Sequence, residues 1–279
     1  MDSKEREDLI RQMIAATGES REFAEFFLDT FLQKFDVSDT APGAKDIKKK
    51  SSPKSGSKRT PEYDEDHYPH FINRDVVKKY TLRFTLRDIK PSIWRKVEVP
   101  SNITLRHLSE LIISVMGWSG YHLNHFRVKE DFYEPFYQRD FDMEAMDFMP
   151  LDHHNQEDYT IDDILNEKGK TIEFEYDFGD SWEHVIRLSS IDDYAEGEKK
   201  EIQFLGGKRA CPPEDCGGIW GYEDLCAIVA KKATHKRLSR DERERLEWYS
   251  PAPEDGEYYD PENFDPSVGE IIVKRFNLY

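Results

Sequence analysis

From Tyr80 onward the chain alternates apolar and polar positions, with Tyr80, Leu82, Phe84 and Leu86 set against Thr81, Arg83, Thr85 and Arg87. A period of two marks a strand with one buried face. Pro91 turns the chain, and residues 93–99 predict an antiparallel partner. The period then changes. Leu105, Leu108, Ile112 and Val115 fall three or four apart and predict a helix over about 104–116, ended by Gly117. Residues 121–129 read as a strand, and Thr160 caps a short helix through Leu165. Residues 170–176 and 182–191 predict a hairpin around 177–181, with Gly179 as its positive-φ position. Helices are expected over 222–233, over 240–249 behind a Ser239/Glu242 capping box, and from Pro266 to about Phe276. Strands come first and helices later, without regular βαβ alternation. The expected class is α+β, a mainly antiparallel sheet with packed helices.

Upstream the pattern differs. Leu9, Ile10, Met13 and Ile14, then Phe23, Phe26, Phe27, Leu28, Phe31, Leu32 and Phe35, predict two short amphipathic helices broken at Gly18. Residues 40–70 hold almost no apolar side chain before Tyr63 and read as a flexible linker. The expected organisation is a helical hairpin at 1–38, a basic and polar linker at 39–72, and an α+β domain at 73–279.

Composition narrows the partners. Of 279 residues 37 % are hydrophobic and 13 % aromatic, enough for a sizeable core, and the net charge is −17. Such a surface repels phosphate on average, so duplex nucleic acid is a poor partner for the main domain, and protein partners are expected. Within 41–60, seven bases against Asp46 leave a local +6 that reads either as a solvated tether or as an acid- and phosphate-binding one. No apolar run approaches the roughly 20 residues that span a bilayer. Met1 is followed by charged residues rather than by a secretory leader, and three cysteines make no even disulfide framework. A reducing cytoplasm is the expected location. Oligomeric state is left open.

Candidate chemistry gathers in two motifs. One is Tyr176-Asp177-Phe178-Gly179-Asp180-Ser181-Trp182-Glu183-His184; the other is Cys211-Pro212-Pro213-Glu214-Asp215-Cys216-Gly217-Gly218. If the loops meet, Asp177, Asp180, His184, Glu214 and Asp215, with His122, could hold Zn²⁺, Mn²⁺ or Fe²⁺. His122 and His125 point to opposite faces of a strand and share an ion only if the chain curls after Tyr121. The structural alternative is that Asp177 and Asp180 accept turn N–H groups while His184 packs. Cys211, Cys216 and Cys226 lack zinc-ribbon spacing and read as reduced thiols. Arg95 faces away from Trp94 and could pair with Asp177 or Glu214, structurally or around an anion. Trp94, Trp118 and Trp182 read as core aromatics or, for Trp118 and Trp182 with Arg95, as a ligand platform. The stretch 131–158, with His153-His154, reads as a surface loop.

These residues resemble one family. The run from Tyr80 through Ile89-Lys90-Pro91-Ser92-Ile93-Trp94-Arg95, then Leu105-Arg106-His107-Leu108, Met116-Gly117-Trp118, His122-Leu123, Phe126 and both dense motifs, together with Gly221-Tyr222 and Phe264-Asp265-Pro266, is similar to the plasmid pRiA4b ORF-3-like family over about 75–277. The resemblance implies an α+β fold and a protein carried by plasmids and insertion elements, including insertion-element passengers. It attaches no reaction, cofactor or partner. Asn124 and His125 stand where the family often shows a histidine and then a polar residue, so a metal role transfers better to His122 than to His125. Cys216 stands where the family is often aliphatic. Two functions follow as expectations. One is a non-enzymatic cytoplasmic interaction module of a mobile-element-associated family. The other is a metal-dependent hydrolase or nuclease using the 176–184 and 211–218 loops.

Overall fold

The computed structural model describes residues 68–135 and 153–277, together with Arg21. The expected helical hairpin at 1–38, nearly all of the linker, and the middle of the 131–158 stretch lie outside the described residues. The domain is α+β. Strands β1 (Lys79–Leu86), β2 (Trp94–Pro100), β3 (Asn124–Val128), β4 (Asp131–Glu134), β5 (His153–Asn155), β6 (Thr171–Tyr176), β7 (Trp182–Asp192) and β8 (Gln203–Lys208) form one sheet in the order β5-β4-β3-β6-β7-β1-β2-β8. Every pairing is antiparallel except β4 with β5.

Local chemistry explains the elements. In α1 (Leu105–Met116) the Thr104 hydroxyl accepts the His107 N–H at 3.2 Å, and Gly117 closes the helix at φ 98°, where a side chain would be strained. Around α2 (Ile161–Ile164), Thr160 and Asp163 form a capping box, and Ser239 with Glu242 does the same at α4 (Arg240–Trp248). Asp265 caps α5 (Pro266–Phe276) by accepting the Ser267 N–H at 2.8 Å, with Pro266 in the first turn. Helix α3 (Gly218–Ala233) starts four residues earlier than its apolar spacing predicts, because Gly217 enters it at φ 95°.

The strands' alternate residues build the core. Leu82, Phe84, Val97, Val99, Phe126, Phe174, Trp182, Ile186 and Leu188 are fully buried against Leu105, Leu108, Leu111 and Ile112 of α1. Each such side chain contributes roughly 1.5–3 kcal/mol by leaving water. Helical contacts fall on this face, the Val115 carbonyl on Arg95 and Gly269 on Phe204, and just past α1 the Trp118 ring packs on His184.

Several expectations are corrected. The third strand begins at Asn124 rather than at 121, so His122 sits in the connection before it. In the β6–β7 turn the positive-φ residues are Asp177 (60°) and Ser181 (53°), not Gly179. The ends of the 131–158 stretch are strands: Phe132, Tyr133 and Glu134 pair with His153, His154 and Asn155. Strand β8 was not anticipated, because Gly206-Gly207 breaks its apolar alternation. Residues 68–72 belong to the folded body, with Phe71 bridged to Ile103 and the Ile72 N–H donated to the Asn102 carbonyl.

Candidate functional site

Three connections converge at one end of the sheet: the α1–β3 segment, the β6–β7 turn and the loop entering α3. The Trp118 indole N–H donates to the Pro212 carbonyl at 3.0 Å. Ser119 gives both its N–H (3.0 Å) and its hydroxyl (2.6 Å) to Glu214 Oε2, while the Tyr176 hydroxyl donates to Glu214 Oε1 and accepts the Gly120 N–H at 3.1 Å. Burial and the Glu214 charge push the Tyr176 phenol far above its usual range, so it stays a proton donor. Glu214 is thereby an anchor for the loop.

The turn is held by its own carboxylate. Asp177 Oδ1 accepts the N–H groups of Gly179 (2.9 Å) and Asp180 (3.3 Å). Asp180 Oδ2 reaches across to the Gly217 N–H at 3.1 Å. Gly218 lies so close to the turn that an added Cβ would stand 2.6 Å from the Asp180 carbonyl oxygen. Downstream, Arg245 Nη2 donates to the carbonyls of Cys216 (2.9 Å) and Gly221 (3.0 Å), and the Tyr249 hydroxyl donates to the Asp215 carbonyl at 2.9 Å.

What this framework leaves facing outward is a three-residue group. His122, Asp177 and Asp215 each offer one ligand atom, and these atoms lie within 4.8 Å of one another. His122 Nε2 is 3.3 Å from Asp215 Oδ1 and 3.7 Å from Asp177 Oδ2. Two ligands of one ion at about 2.1 Å, near a tetrahedral angle, stand roughly 3.4 Å apart, so an imidazole and two carboxylates fit a borderline divalent ion. Asp177 is buried, His122 half-buried, and the Asp215 side chain 74 % exposed. The group is therefore open on one side.

The other candidates are placed elsewhere. His184 is fully buried on the core side of β7, between the rings of Trp118 and Phe174, and burial holds its pKa down at about 4. It does not reach the outward group, because β7 alternation turns it inward. Asp180 is engaged by Gly217 and stands outside the three-residue group. His125 packs against Phe132 and Phe178, with Glu175 3.5 Å away, and shares nothing with His122. Arg95 meets no carboxylate among the described residues. It donates to the carbonyls of Val115, Trp94 and Lys208 at 3.0–3.2 Å and stacks on Phe264 at 4.4 Å. Trp118 and Trp182 stack on each other, 5.8 Å between centroids, and are closed to any ligand. Cys211 and Cys216 are buried free thiols, and burial raises Cys216 far above the thiolate range.

Sequence reading missed four exposed aromatics. Tyr121 adjoins His122, Phe178 adjoins Asp177, Trp220 lies in the first turn of α3, and Trp248 precedes Tyr249; all four are exposed. Large aromatics at polar helix positions, such as Trp220 and Trp248, were the available signal.

An α+β domain whose sheet end gathers two motif loops defines the class. The model of the plasmid pRiA4b ORF-3-like protein family matches residues 78–268, and the chain belongs to this family. The uncharacterized protein y4hQ of Sinorhizobium fredii (strain NBRC 101917 / NGR234) is 31 % identical over 200 residues, covering 71 % of this chain and 95 % of that protein. The crystal structure of MM3350, a protein of unknown function from Methanosarcina mazei Go1, is similar with a TM-score of 0.54 and 29 % identity, covering 69 % of this chain and 97 % of the other.

Proposed function

We propose that the domain binds one divalent ion between its two motif loops, through His122, Asp177 and Asp215, and acts as a metal-dependent hydrolase. The observation that carries this reading is the convergence of those three ligand atoms within 4.8 Å at a site open on one side. Structural zinc sites close four protein ligands around the ion, whereas catalytic sites keep three and leave a position for water or substrate. A bound ion would supply a water acidified toward neutral pH. The chain's own groups do the positioning. The turn N–H groups fix Asp177 Oδ1 and leave Oδ2 for the ion, while Glu214 ties the Asp215 loop to Ser119 and Tyr176. Among the described residues no helix is long and apolar enough to cross a membrane.

Metal analysis tests the reading. Purified chain titrated with Mn²⁺ or Zn²⁺ should take up one ion per chain, and His122→Ala should lose it with the circular-dichroism spectrum unchanged. Absence of saturable binding, or binding indifferent to His122, overturns it.

A second reading, a protein-interaction module, is favoured by Trp220 and Trp248, whose 83 % and 79 % exposure is high for indoles. Trp220→Ser with Trp248→Ser distinguishes the readings: loss of a co-purifying protein partner with metal uptake intact supports the module.

A further inference from the structure

The sheet face turned away from the helices carries a row of like charges. Register places Arg187 of β7 directly opposite Arg83 of β1, and Arg83 directly opposite Lys96 of β2. Their strand neighbours Leu82, Phe84, Arg95, Val97, Ile186 and Leu188 are buried on the core side, so the three cations share the outer face. Strands lie about 4.8 Å apart, and the row spans about 10 Å. Lys208 stands one row further, opposite Trp94.

Like charges directly opposite each other destabilise a sheet. The chain has 57 acidic residues and 40 Lys and Arg, so carboxylates are abundant. Elsewhere on this sheet they are used: Arg87 pairs with Glu173 and Glu183, Arg127 with Glu173, and Lys79 with Glu198. Arg83, Lys96 and Arg187 have no carboxylate partner among the described residues. Arg83 is instead held over the Trp94 ring at 4.2 Å. Local rules are broken where something outside the fold repays the breach.

A second feature lies on the same face, two strands away. His125, Arg127, Phe132, Phe174 and the three carboxylates Glu173, Glu175 and Glu183 line a cavity of about 220 Å³, with the Phe132 ring edge-on to His125 and stacked on His153.

We propose that this face binds single-stranded nucleic acid, its phosphates along Arg187, Arg83 and Lys96 and a base in the Phe132–His125 cavity. Guanidinium forks match phosphate oxygens, and aromatic side chains take bases without sequence preference. An eight-stranded face about 34 Å wide cannot enter a major groove of about 12 Å, which separates a single strand from a duplex. Of the acids on this face, Glu173 and Glu183 are neutralised by Arg87 and Arg127, and the more distant acids behind the net charge of −17 are screened beyond about 8 Å at physiological salt.

The test is fluorescence anisotropy of the full chain with a labelled thymidine 15-mer, in EDTA so that the result is independent of any metal. Binding should weaken as salt rises. Lys96→Gln with Arg187→Gln should weaken it about tenfold, while the same variant unfolds at higher urea than the parent because the repulsion is gone. Phe132→Ala should weaken binding while leaving its salt dependence unchanged. Binding undiminished in the Lys96/Arg187 variant would assign it to the basic 41–60 run and overturn the proposal. Equal binding of a duplex, or equal competition by polyglutamate, would also overturn it.

Discussion

Asp180 accepts the Gly217 N–H at 3.1 Å, joining the two motifs through residues 37 positions apart in the chain. Beside that bond Gly218, at φ 65°, touches the Asp180 carbonyl, and Gly221 lies so close to Cys216 that a Cβ would stand 1.8 Å from its carbonyl oxygen. Gly218 thus serves as the contact surface through which the two loops share one end of the sheet, while Gly221 lets the second loop fold onto its own helix.

Replacing Gly218 should part the loops, and replacing Gly221 should disturb the entry to α3. Gly218→Ala adds both a clash against backbone and left-handed strain, together worth about 2–4 kcal/mol. Gly221→Ala should be worse, since the facing carbonyl cannot move without breaking its bond to Arg245. Urea denaturation of each variant checks this; a loss below about 1 kcal/mol for Gly218→Ala would contradict the close approach.

Much of this was legible in the chain. Alternation over Tyr80–Leu86 and helical spacing over Leu105–Val115 mark side chains whose burial the fold needs, so pattern and structure agree there. The meeting of the motifs was open in the sequence, because two loops on one sheet can lie at the same end or at opposite ends. The roles of individual acids were equally hidden. Asp177, Asp180, Glu214 and Asp215 have one chemistry, and only backbone N–H groups, Ser119 and Tyr176 sort the anchors from the outward carboxylates. The sequence leaves the phase of β7 open at His184, and the burial of Trp182 in the same alternation turns His184 inward. Strand β8 escaped because Gly207 lies so close to Phe264 and Arg95 that no side chain fits there to continue an apolar alternation.

Arg95 gives a second outcome. Its guanidinium is fully enclosed, and burial lowers its pKa, yet three carbonyls and the Phe264 face hold it. Lysine has neither the fork nor the flat stacking surface. Arg95→Lys should destabilise the domain by about 2–3 kcal/mol by leaving carbonyls unpaired. Metal uptake at His122, measured on the folded fraction, should remain unchanged, which separates a structural role from a ligand role.

At the outward group, Asp215 and Asp177 should differ. The exposed Asp215 side chain anchors nothing, so Asp215→Asn should lower metal affinity about tenfold or more with no loss of stability. Asp177→Asn removes the charge that the Gly179 and Asp180 N–H groups face, and should reduce both affinity and stability, the latter by about 1–2 kcal/mol. Calorimetric titration with Mn²⁺ beside urea denaturation checks the pair. Equal stability losses would contradict the division of roles.

Stability should also fall with acid through the buried imidazoles. Burial holds His184 and His125 at about 4, against 6.5 for the free side chain, and pushes His107 down as well. A folded pKa below the unfolded one means the unfolded chain takes up protons first. The stabilising effect is therefore complete above pH 6.5 and is lost as pH falls from there toward 4. Each fully effective histidine contributes a slope of about 1.4 kcal/mol per pH unit in that window. His184→Leu keeps the packing against Trp118 and Phe174 but cannot take a proton. Unfolding free energies from urea denaturation at pH 7 and 4.5 should lie closer together in the variant than in the parent, by about 1.4 kcal/mol for each pH unit between 6.5 and 4.5. An identical pH dependence in both would show that His184 is not the buried neutral base its surroundings make it.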